Sequence, residues 1–273
     1  MRSLVTIDHI NLSVLHKNTD APCAVIFIHG NSGSAHLWEP QFTDPLFDQY
    51  HLVAFDLPAH GSSSPSSSPD KAYSTSNLGG IMAKAIQQLF LHKPFVIGGV
   101  SFGSNIAAET LHELDPQGLF FISPSVLGPE HTVANVFRPG VNVGFMFSDE
   151  RNADVVREGY RLHLGVNNDK VLDALVADYQ AVKEPFRSSL GATVMAGEYS
   201  DEIQLLKDHG REVLCVFGED DPSLNSNYLD DAPFRLWQDK VFAIPGSHFP
   251  NADHPREFNA LLKEYCDHMF YKR

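Results

Sequence analysis

The clearest chemistry in this sequence comes from a serine flanked by glycines, in the segment Gly99-Val100-Ser101-Phe102-Gly103. The segment follows FVIGG at 95–99, an apolar run typical of a strand, and precedes a helix candidate over 102–114. A serine in this context fits the G-x-S-x-G nucleophile elbow, in which small neighbours permit a sharp turn. The helix N-terminus would direct backbone N–H groups at the reaction centre. Ser101 is therefore the candidate nucleophile.

A serine hydroxyl is a poor nucleophile unless a neighbouring base takes its proton, so a histidine and an orienting carboxylate should follow in the chain. The segment Gly246 to Pro250 follows the strand-like run KVFAI and contains His248, which we predict to be the base. His254 is the main competitor, but it is better placed to start the helix predicted at 255. Three carboxylates follow the run VLCVF and compete for the third role: Glu219, Asp220 and Asp221.

The chain resembles the α/β-hydrolase fold superfamily, in its capped, serine-nucleophile, carboxylesterase-like branch. The resemblance covers nearly the whole length and is carried by His29-Gly30-Asn31, by Phe55 to Ser62 (FDLPAHGS), by Gly99 to Gly103, by Gly218 to Pro222 and by Gly246 to Pro250. Two positions depart from family patterns. Asn31 departs from the continuation of the lipase-like H-G-G-G branch, and Ala59 stands where a glycine is usual.

The resemblance also implies roles for individual residues. Members often read G-x-x-D after the corresponding strand, which selects Asp221 from Gly218, while Asp220 and, less well, Glu219 stay open. The oxyanion hole would use the backbone N–H groups of Asn31 and Phe102, because two preorganised donors can stabilise the developing negative charge. His29 and Asp56 would be structural. The family needs no metal or organic cofactor for this chemistry.

Strand-like and helix-like segments alternate along the chain, which indicates an α/β fold with a mostly parallel, doubly wound sheet of about eight strands. An antiparallel pair is expected at 3–7 and 9–15, followed by buried strands at 24–28, 51–55, 95–99, 118–122, 213–217 and 240–244. Helices are expected at 76–91, 102–114 and 255–270. The alternation of strand-like and helix-like segments ends after residue 123, and amphipathic segments follow near 150–164, 169–183 and 200–209. We therefore predict a core formed by 1–123 and 207–273, and an inserted helical cap over 124–206 that covers the site.

The overall composition and charge disfavour several classes of binding partner. The 273 residues carry a net charge of −14 and no run of Lys and Arg, which disfavours binding to nucleic acid. The three cysteines indicate neither a disulfide framework nor a thiolate metal site. The alternating N-terminal segment resembles neither a secretory signal nor a membrane span, so a cytoplasmic location is the default expectation.

The expected reaction is acyl transfer to water, with a small-molecule ester, thioester or amide as substrate. Alternatives on the same residues are an acyltransferase, a C–C hydrolase or lyase, and a cofactor-free oxygenase, and a ligand-binding receptor or pseudoenzyme is a further one. A serine at the elbow disfavours haloalkane dehalogenase and epoxide hydrolase chemistry, which uses an aspartate there. Six aromatic residues could line an acyl pocket, although plain core packing is the simpler reading for each: Trp38, Phe102, Phe137, Phe145, Phe147 and Phe249. The oligomeric state cannot be read from these patterns.

Overall fold

An eight-stranded sheet organises the chain in a computed structural model that describes residues 1–68, 73–90, 93–142 and 144–271. The spatial order is β1-β2-β4-β3-β5-β6-β7-β8. The strands are β1 (Arg2–Ile7), β2 (Ile10–Lys17), β3 (Ala24–Ile28), β4 (His51–Phe55), β5 (Phe95–Val100), β6 (Gly118–Ile122), β7 (Val213–Gly218) and β8 (Phe242–Ile244). The predicted strands are all present, and only their ends differ by a few residues.

Strand direction follows the connections between the strands. β1 pairs with β2, and β2 with β4, in antiparallel fashion, whereas β4, β3, β5, β6, β7 and β8 form a parallel series. Because parallel strands need crossover connections, helices lie between them and cover the sheet. The predicted class, a mostly parallel α/β sheet of eight strands, is confirmed.

Ten α-helices occur in the described ranges. They are α1 (Glu39–Thr43), α2 (Thr75–Phe90), α3 (Phe102–Glu109), α4 (Val133–Val136), α5 (Ala153–Leu164), α6 (Asp169–Ala181), α7 (Phe186–Met195), α8 (Glu202–His209), α9 (Pro250–Asp253) and α10 (Pro255–Tyr271). Short 3₁₀ segments lie at Ala35–Trp38, Pro45–Phe47, Thr110–His112, Gly144–Phe147 and Trp237–Asp239. The last residue of the helix expected at 76–91 lies outside the described residues.

Both faces of the sheet are buried, which explains the unbroken apolar runs. In β3, Ala24, Ile26 and Ile28 face one hydrophobic cluster, while Val25 and Phe27 face a second cluster on the other side. All five residues have no exposed surface. Since each fully buried large aliphatic or aromatic side chain contributes about 1.5–3 kcal/mol, the central strands fix the frame that holds the loops at their carboxyl ends.

The chain between β6 and β7 is mainly helical, as the sequence indicates. Helices α5, α6 and α8 correspond to the amphipathic segments expected near 150–164, 169–183 and 200–209. Helix α7 was not predicted. We call the helical segment 124–206 the cap, and its boundaries stay a prediction. No helix in the described part of the chain has the length and apolarity needed to cross a membrane.

Candidate active site

Ser101 lies in a strained turn between β5, which ends at Val100, and α3, which begins at Phe102. Its backbone angles are φ 54° and ψ −127°, a sparsely populated combination for a residue with a side chain. Such strain costs on the order of 1–3 kcal/mol and persists only when the surroundings impose it. Here the Ser101 N–H donates to the Ile122 carbonyl (2.9 Å), and the Ser101 carbonyl accepts from the Ser104 Oγ (2.6 Å). The turn is thus held from both sides.

The glycines around Ser101 allow a close approach of backbone to backbone. A Cβ on Gly103 would lie 2.4 Å from the Ile28 carbonyl oxygen, and a Cβ on Gly99 would lie 2.4 Å from the Gly103 carbonyl carbon. Neither distance is tolerable for carbon in contact with a rigid backbone. The glycine spacing is therefore a packing requirement of the turn that presents Ser101.

We expect Gly103→Ala to lower the free energy of unfolding by at least about 2 kcal/mol, because the new methyl group overlaps with the end of β3. Gly80→Ala in α2 is the matched control, since its nearest heavy neighbour would be a flexible carboxylate oxygen of Glu113 at 3.8 Å. That change should stabilise by roughly 0.5–1 kcal/mol through helix propensity. Urea unfolding of both variants checks the pair, and equal effects would contradict the packing argument.

His248 and Asp221 form a buried pair at the ends of β8 and β7. Their side chains are 3% and 2% exposed, and the His248 Nδ1 lies 2.8 Å from the Asp221 Oδ2. The second oxygen of Asp221 accepts from the Ser223 N–H (2.8 Å) and the Ser223 Oγ (2.5 Å). Burial acts to raise the pKa of Asp221, but the charge of His248 and the hydrogen bonds from His248 and Ser223 outweigh it, so the pKa is lowered. Ionised Asp221 accepts a hydrogen bond from Nδ1–H, and in the neutral tautomer this leaves Nε2 of His248 as the acceptor that faces away from Asp221.

The three competing carboxylates are separated by their exposure. Glu219 and Asp220 are exposed, whereas Asp221 is buried against His248. The structure therefore brings His248 together with the carboxylate that the G-x-x-D pattern selects. Ser223, which fixes the orientation of Asp221, was missed, because a serine two residues after an aspartate gives no distinctive signal in the sequence.

The loop after β3 lies beside Ser101, and its turn is held by His29. Nε2 of His29 accepts from the Leu57 N–H (3.0 Å), so Nδ1 carries the proton and donates to the Gly30 carbonyl (2.7 Å). Burial lowers the pKa of His29, which keeps the ring neutral. Asp56 supports the same region by accepting from the Ala35 N–H at 2.8 Å. These contacts occupy both ring nitrogens of His29 in holding the turn.

A cavity of about 850 Å³ contains Ser101 and His248 and also brings Asn31 and Phe102 to its wall. The four predicted residues other than Asp221 thus meet at one surface, with Asp221 behind His248. Four of the six candidate aromatic residues line the cavity: Phe102, Phe137, Phe147 and Phe249. Trp38 instead packs on Phe27 with ring centroids 4.9 Å apart, and Phe145 packs on Tyr160.

One wall of the cavity is the unpredicted helix α7. It contributes three small residues, Ser188, Gly191 and Ala192, together with Val194 and Met195. Another part of the lining comes from residues 132–137, which include Val133 and Phe137. The lining is mostly apolar away from Ser101. The cavity can therefore receive an apolar group next to the nucleophile.

Asp178 on α6 is a partly buried carboxylate where the cap meets the loop after β3. Its Oδ2 accepts from the Ser34 Oγ at 2.8 Å. Burial raises the pKa of Asp178 to about 6, and the hydrogen bond from Ser34 opposes that effect only in part. The folded protein therefore holds a proton on Asp178 in a pH range where the unfolded chain has lost it.

This pKa gives a prediction for stability. Because the folded-state pKa is raised, the contribution of Asp178 is fully present below pH 4 and declines as the pH rises through about 6. A difference of about two pKa units corresponds to roughly 3 kcal/mol. In Asp178→Asn this decline should be absent, so the unfolding free energy of the variant relative to wild type should increase between pH 4 and 7. Denaturant titrations at several pH values check this, with exposed Asp173→Asn on the same helix as the charge-matched control.

Comparisons with known proteins agree with this architecture. A model of the alpha/beta hydrolase family matches residues 25–261. The dihydrolipoyllysine-residue acetyltransferase component of the acetoin cleaving system of Cupriavidus necator is 28% identical over 264 residues, which cover 95% of this chain and 67% of that protein.

Two solved structures show the similarity of fold. A variant of the N-acyl homoserine lactonase AidH, complexed with N-hexanoyl homoserine lactone, aligns with a TM-score of 0.88 and 22% identity over 100% of both chains. A thermophilic esterase from Thermogutta terrifontis aligns with a TM-score of 0.75 and 19% identity, over 98% of this chain and 99% of that one. Since the family model spans most of the sequence, and the sheet and elbow agree with it, the chain belongs to the alpha/beta hydrolase family.

Proposed function

We propose that the protein is a serine hydrolase that cleaves a small-molecule ester, thioester or amide through an acyl-enzyme on Ser101. The observation that carries the proposal is the buried Asp221–His248 pair, 2.8 Å between Nδ1 and Oδ2, on the cavity that also contains Ser101. A histidine oriented by a carboxylate, on the same cavity as a serine, is the arrangement that nucleophilic acyl transfer requires.

In the first half of the reaction, Ser101 Oγ attacks the carbonyl carbon while His248 Nε2 takes the hydroxyl proton. The carbonyl π electrons move to oxygen, and the N–H groups of Asn31 and Phe102 stabilise the resulting oxyanion. Phe102 is the first residue of α3, where backbone N–H groups have no acceptor within the helix. Collapse of the intermediate breaks the bond to the leaving group, which takes the proton from His248.

The second half repeats these steps with water. His248 removes a proton from water as its oxygen adds to the acyl carbon, and the oxyanion forms in the same hole. Expulsion of Ser101 Oγ, reprotonated by His248, releases the acid and restores the enzyme. Asp221 stays ionised throughout and stabilises the imidazolium that forms twice per turnover.

The cavity favours a substrate with an apolar acyl group. The mostly apolar lining from α7 and residues 132–137 can bury such a chain, with the scissile carbonyl at Ser101. The ligand of the similar lactonase structure, N-hexanoyl homoserine lactone, is a cyclic ester with an apolar hexanoyl chain attached through an amide beside the lactone carbonyl. A medium-chain ester or N-acyl lactone is therefore the first substrate class to test.

The test combines turnover with covalent labelling. Wild-type protein is assayed against p-nitrophenyl esters of increasing acyl length and against an N-acyl lactone, and a fluorophosphonate adduct is located by peptide mass spectrometry. We expect turnover of at least one ester and a single adduct on Ser101. Absence of both turnover and labelling would contradict the proposal, and thermal stabilisation by an ester without turnover would instead favour a receptor role.

A second candidate, acyl transfer to a thiol or alcohol, is supported by the Cupriavidus necator relative, whose name is that of an acetyltransferase component. Both reactions share the acyl-enzyme and differ in the group that accepts the acyl chain. Product analysis with and without an added dithiol or alcohol separates them. Free acid as the main product under both conditions supports the hydrolase, whereas a dominant thioester or transesterified product supports the transferase.

A further inference from the structure

Arg187 on α7 has its whole side chain buried, which is unusual for an arginine. Its guanidinium donates to three separate parts of the chain, and its Cζ lies 4.0 Å from the centroid of the Tyr179 ring. The acceptors are the Ser148 carbonyl (2.8 Å from Nε), the Tyr179 carbonyl (3.0 Å) and the Ser32 Oγ (3.4 Å) from Nη1, and the Asp149 carboxylate (3.2 Å) from Nη2. The Glu184 carboxylate forms an ion pair with Nη2 at 2.9 Å. The two carboxylates compensate the buried positive charge.

One of these contacts crosses from the cap to the loop beside Ser101. Ser32 accepts from Arg187 and in turn donates its Oγ proton to the Asn31 Oδ1 at 3.0 Å. The other end of the Asn31 amide, Nδ2, donates to the Met146 carbonyl at 2.6 Å. The side chain of Asn31 is therefore held at both ends, once through Ser32 and once by the 145–149 segment of the cap.

Arg187 also stabilises the 145–149 segment, whose Met146 carbonyl accepts from Asn31. The 145–149 segment accepts from Arg187 at Ser148 and from the Tyr179 hydroxyl, which donates to the carbonyls of Phe145 (2.7 Å) and Ser148 (2.8 Å). Tyr179 is in turn fixed by the stacked guanidinium. Both routes to Asn31, through Ser32 and through Met146, thus begin at the same buried guanidinium.

The backbone next to Asn31 needs such support. Ser32 adopts φ 61°, a left-handed conformation that is strained for a residue with a side chain. An oxyanion hole lowers the barrier only if its donors already point at the site where charge develops. The Ser32 N–H donates to the His60 Nε2 (3.2 Å), and Arg187 adds a second restraint on this turn through the side chains of Ser32 and Asn31.

We propose that Arg187 is a positioning residue, which orients the Asn31 backbone N–H for the oxyanion through Ser32 and the 145–149 segment. This inference rests on the proposed function, because it assigns Asn31 to the oxyanion hole. It makes the cap a part of transition-state stabilisation as well as a wall of the cavity. Lysine cannot replace this arginine, since a single ammonium group cannot span acceptors on both sides of the planar fork.

The test uses Arg187→Lys, which keeps the charge, and Ser32→Ala, which cuts one route and leaves the cap contacts of Arg187 in place. We measure kcat and KM for the best ester and the rate constant for phosphonylation of Ser101 by a fluorophosphonate, whose P=O oxygen occupies the oxyanion position. Both variants should lose about 10- to 100-fold in kcat and in phosphonylation rate, with KM changed less than about threefold. Arg161→Lys, on the exposed face of the cap, is the control and should change neither constant.

A double variant sharpens the test. If Arg187 acts through Ser32, the combined change should cost clearly less than the product of the two single losses. A lower melting temperature with unchanged kcat and phosphonylation rate would show a purely structural role and overturn the inference. If Arg187→Lys fails to fold, the kcat and phosphonylation rate of Ser32→Ala still test the inference. A wild-type protein with neither labelling nor turnover would overturn the proposed function itself, which is a different outcome from labelling that the variants leave unchanged.

Discussion

Replacement of Ser101 by alanine is expected to reduce kcat for ester hydrolysis by about 10⁶-fold, the size of loss that follows removal of the nucleophile from a serine–histidine–aspartate unit. Without Oγ no acyl-enzyme can form, and only the oxyanion donors and substrate binding remain. The measurement is steady-state turnover of wild type and variant on the best p-nitrophenyl ester, with mass spectrometry of the trapped acyl-enzyme.

The same preparations supply the controls for this experiment. The Ser101→Ala protein should keep the melting temperature of wild type to within a few degrees, because the change removes one oxygen and leaves the backbone of the turn as it is. It should still bind the substrate, which thermal shift measures. Turnover above about a tenth of the wild-type rate in a folded, binding-competent variant would exclude Ser101 as the nucleophile.

Asp221→Asn should lower kcat by about 10⁴-fold. An amide has one acceptor oxygen where the carboxylate has two, so it cannot accept from both Ser223 and the Nδ1–H of His248. The amide also removes the charge that stabilises the imidazolium. The adjacent residues supply matched controls, since Asp220→Asn and Glu219→Gln alter exposed carboxylates within two residues. Both should retain kcat to within about twofold.

The ranking of these three variants decides the identity of the triad acid. A larger loss for Asp220→Asn or Glu219→Gln than for Asp221→Asn would contradict the role drawn from the 2.8 Å contact with His248. Circular dichroism of each variant separates this outcome from misfolding. This control is needed because Asp221 also accepts hydrogen bonds from Ser223, and its replacement disturbs that buried hydrogen-bond network.

The parallel strands were predictable because both of their faces are buried. A run such as AVIFI can be a strand only where apolar neighbours exist above and below it, and β3 occupies just those residues, Ala24–Ile28. The edge of the sheet was less predictable. β8 is limited to Phe242–Ile244 because the preceding Gln238 and Asp239 adopt positive φ, a local turn that the run KVFAI does not signal.

Helix α7 and its arginine could not be read from the sequence for a physical reason. The apolar stripe of α7 is short, with Phe186, Leu190 and Val194 packed on the core. The cavity side carries the small residues Ser188, Gly191 and Ala192 in place of charged ones, so the contrast by which an amphipathic helix is recognised is weak. Arg187 contacts Ser32, which is 155 residues away in the chain, and the sequence of α7 gives no sign of that contact. The nucleophile elbow could be predicted from the sequence because it requires only a strand, a tight turn and a helix that follow one another in the chain.

The three native cysteines have a practical consequence for labelling this protein. Cys23, Cys215 and Cys266 are all buried, and burial raises the pKa of each thiol, so the reactive thiolate is scarce at neutral pH. A maleimide dye should therefore react only slowly with the native cysteines. Met195, which is 88% exposed at the cavity wall, could be replaced by cysteine to carry such a dye and report the arrival of substrate optically, with no need to remove the native thiols first.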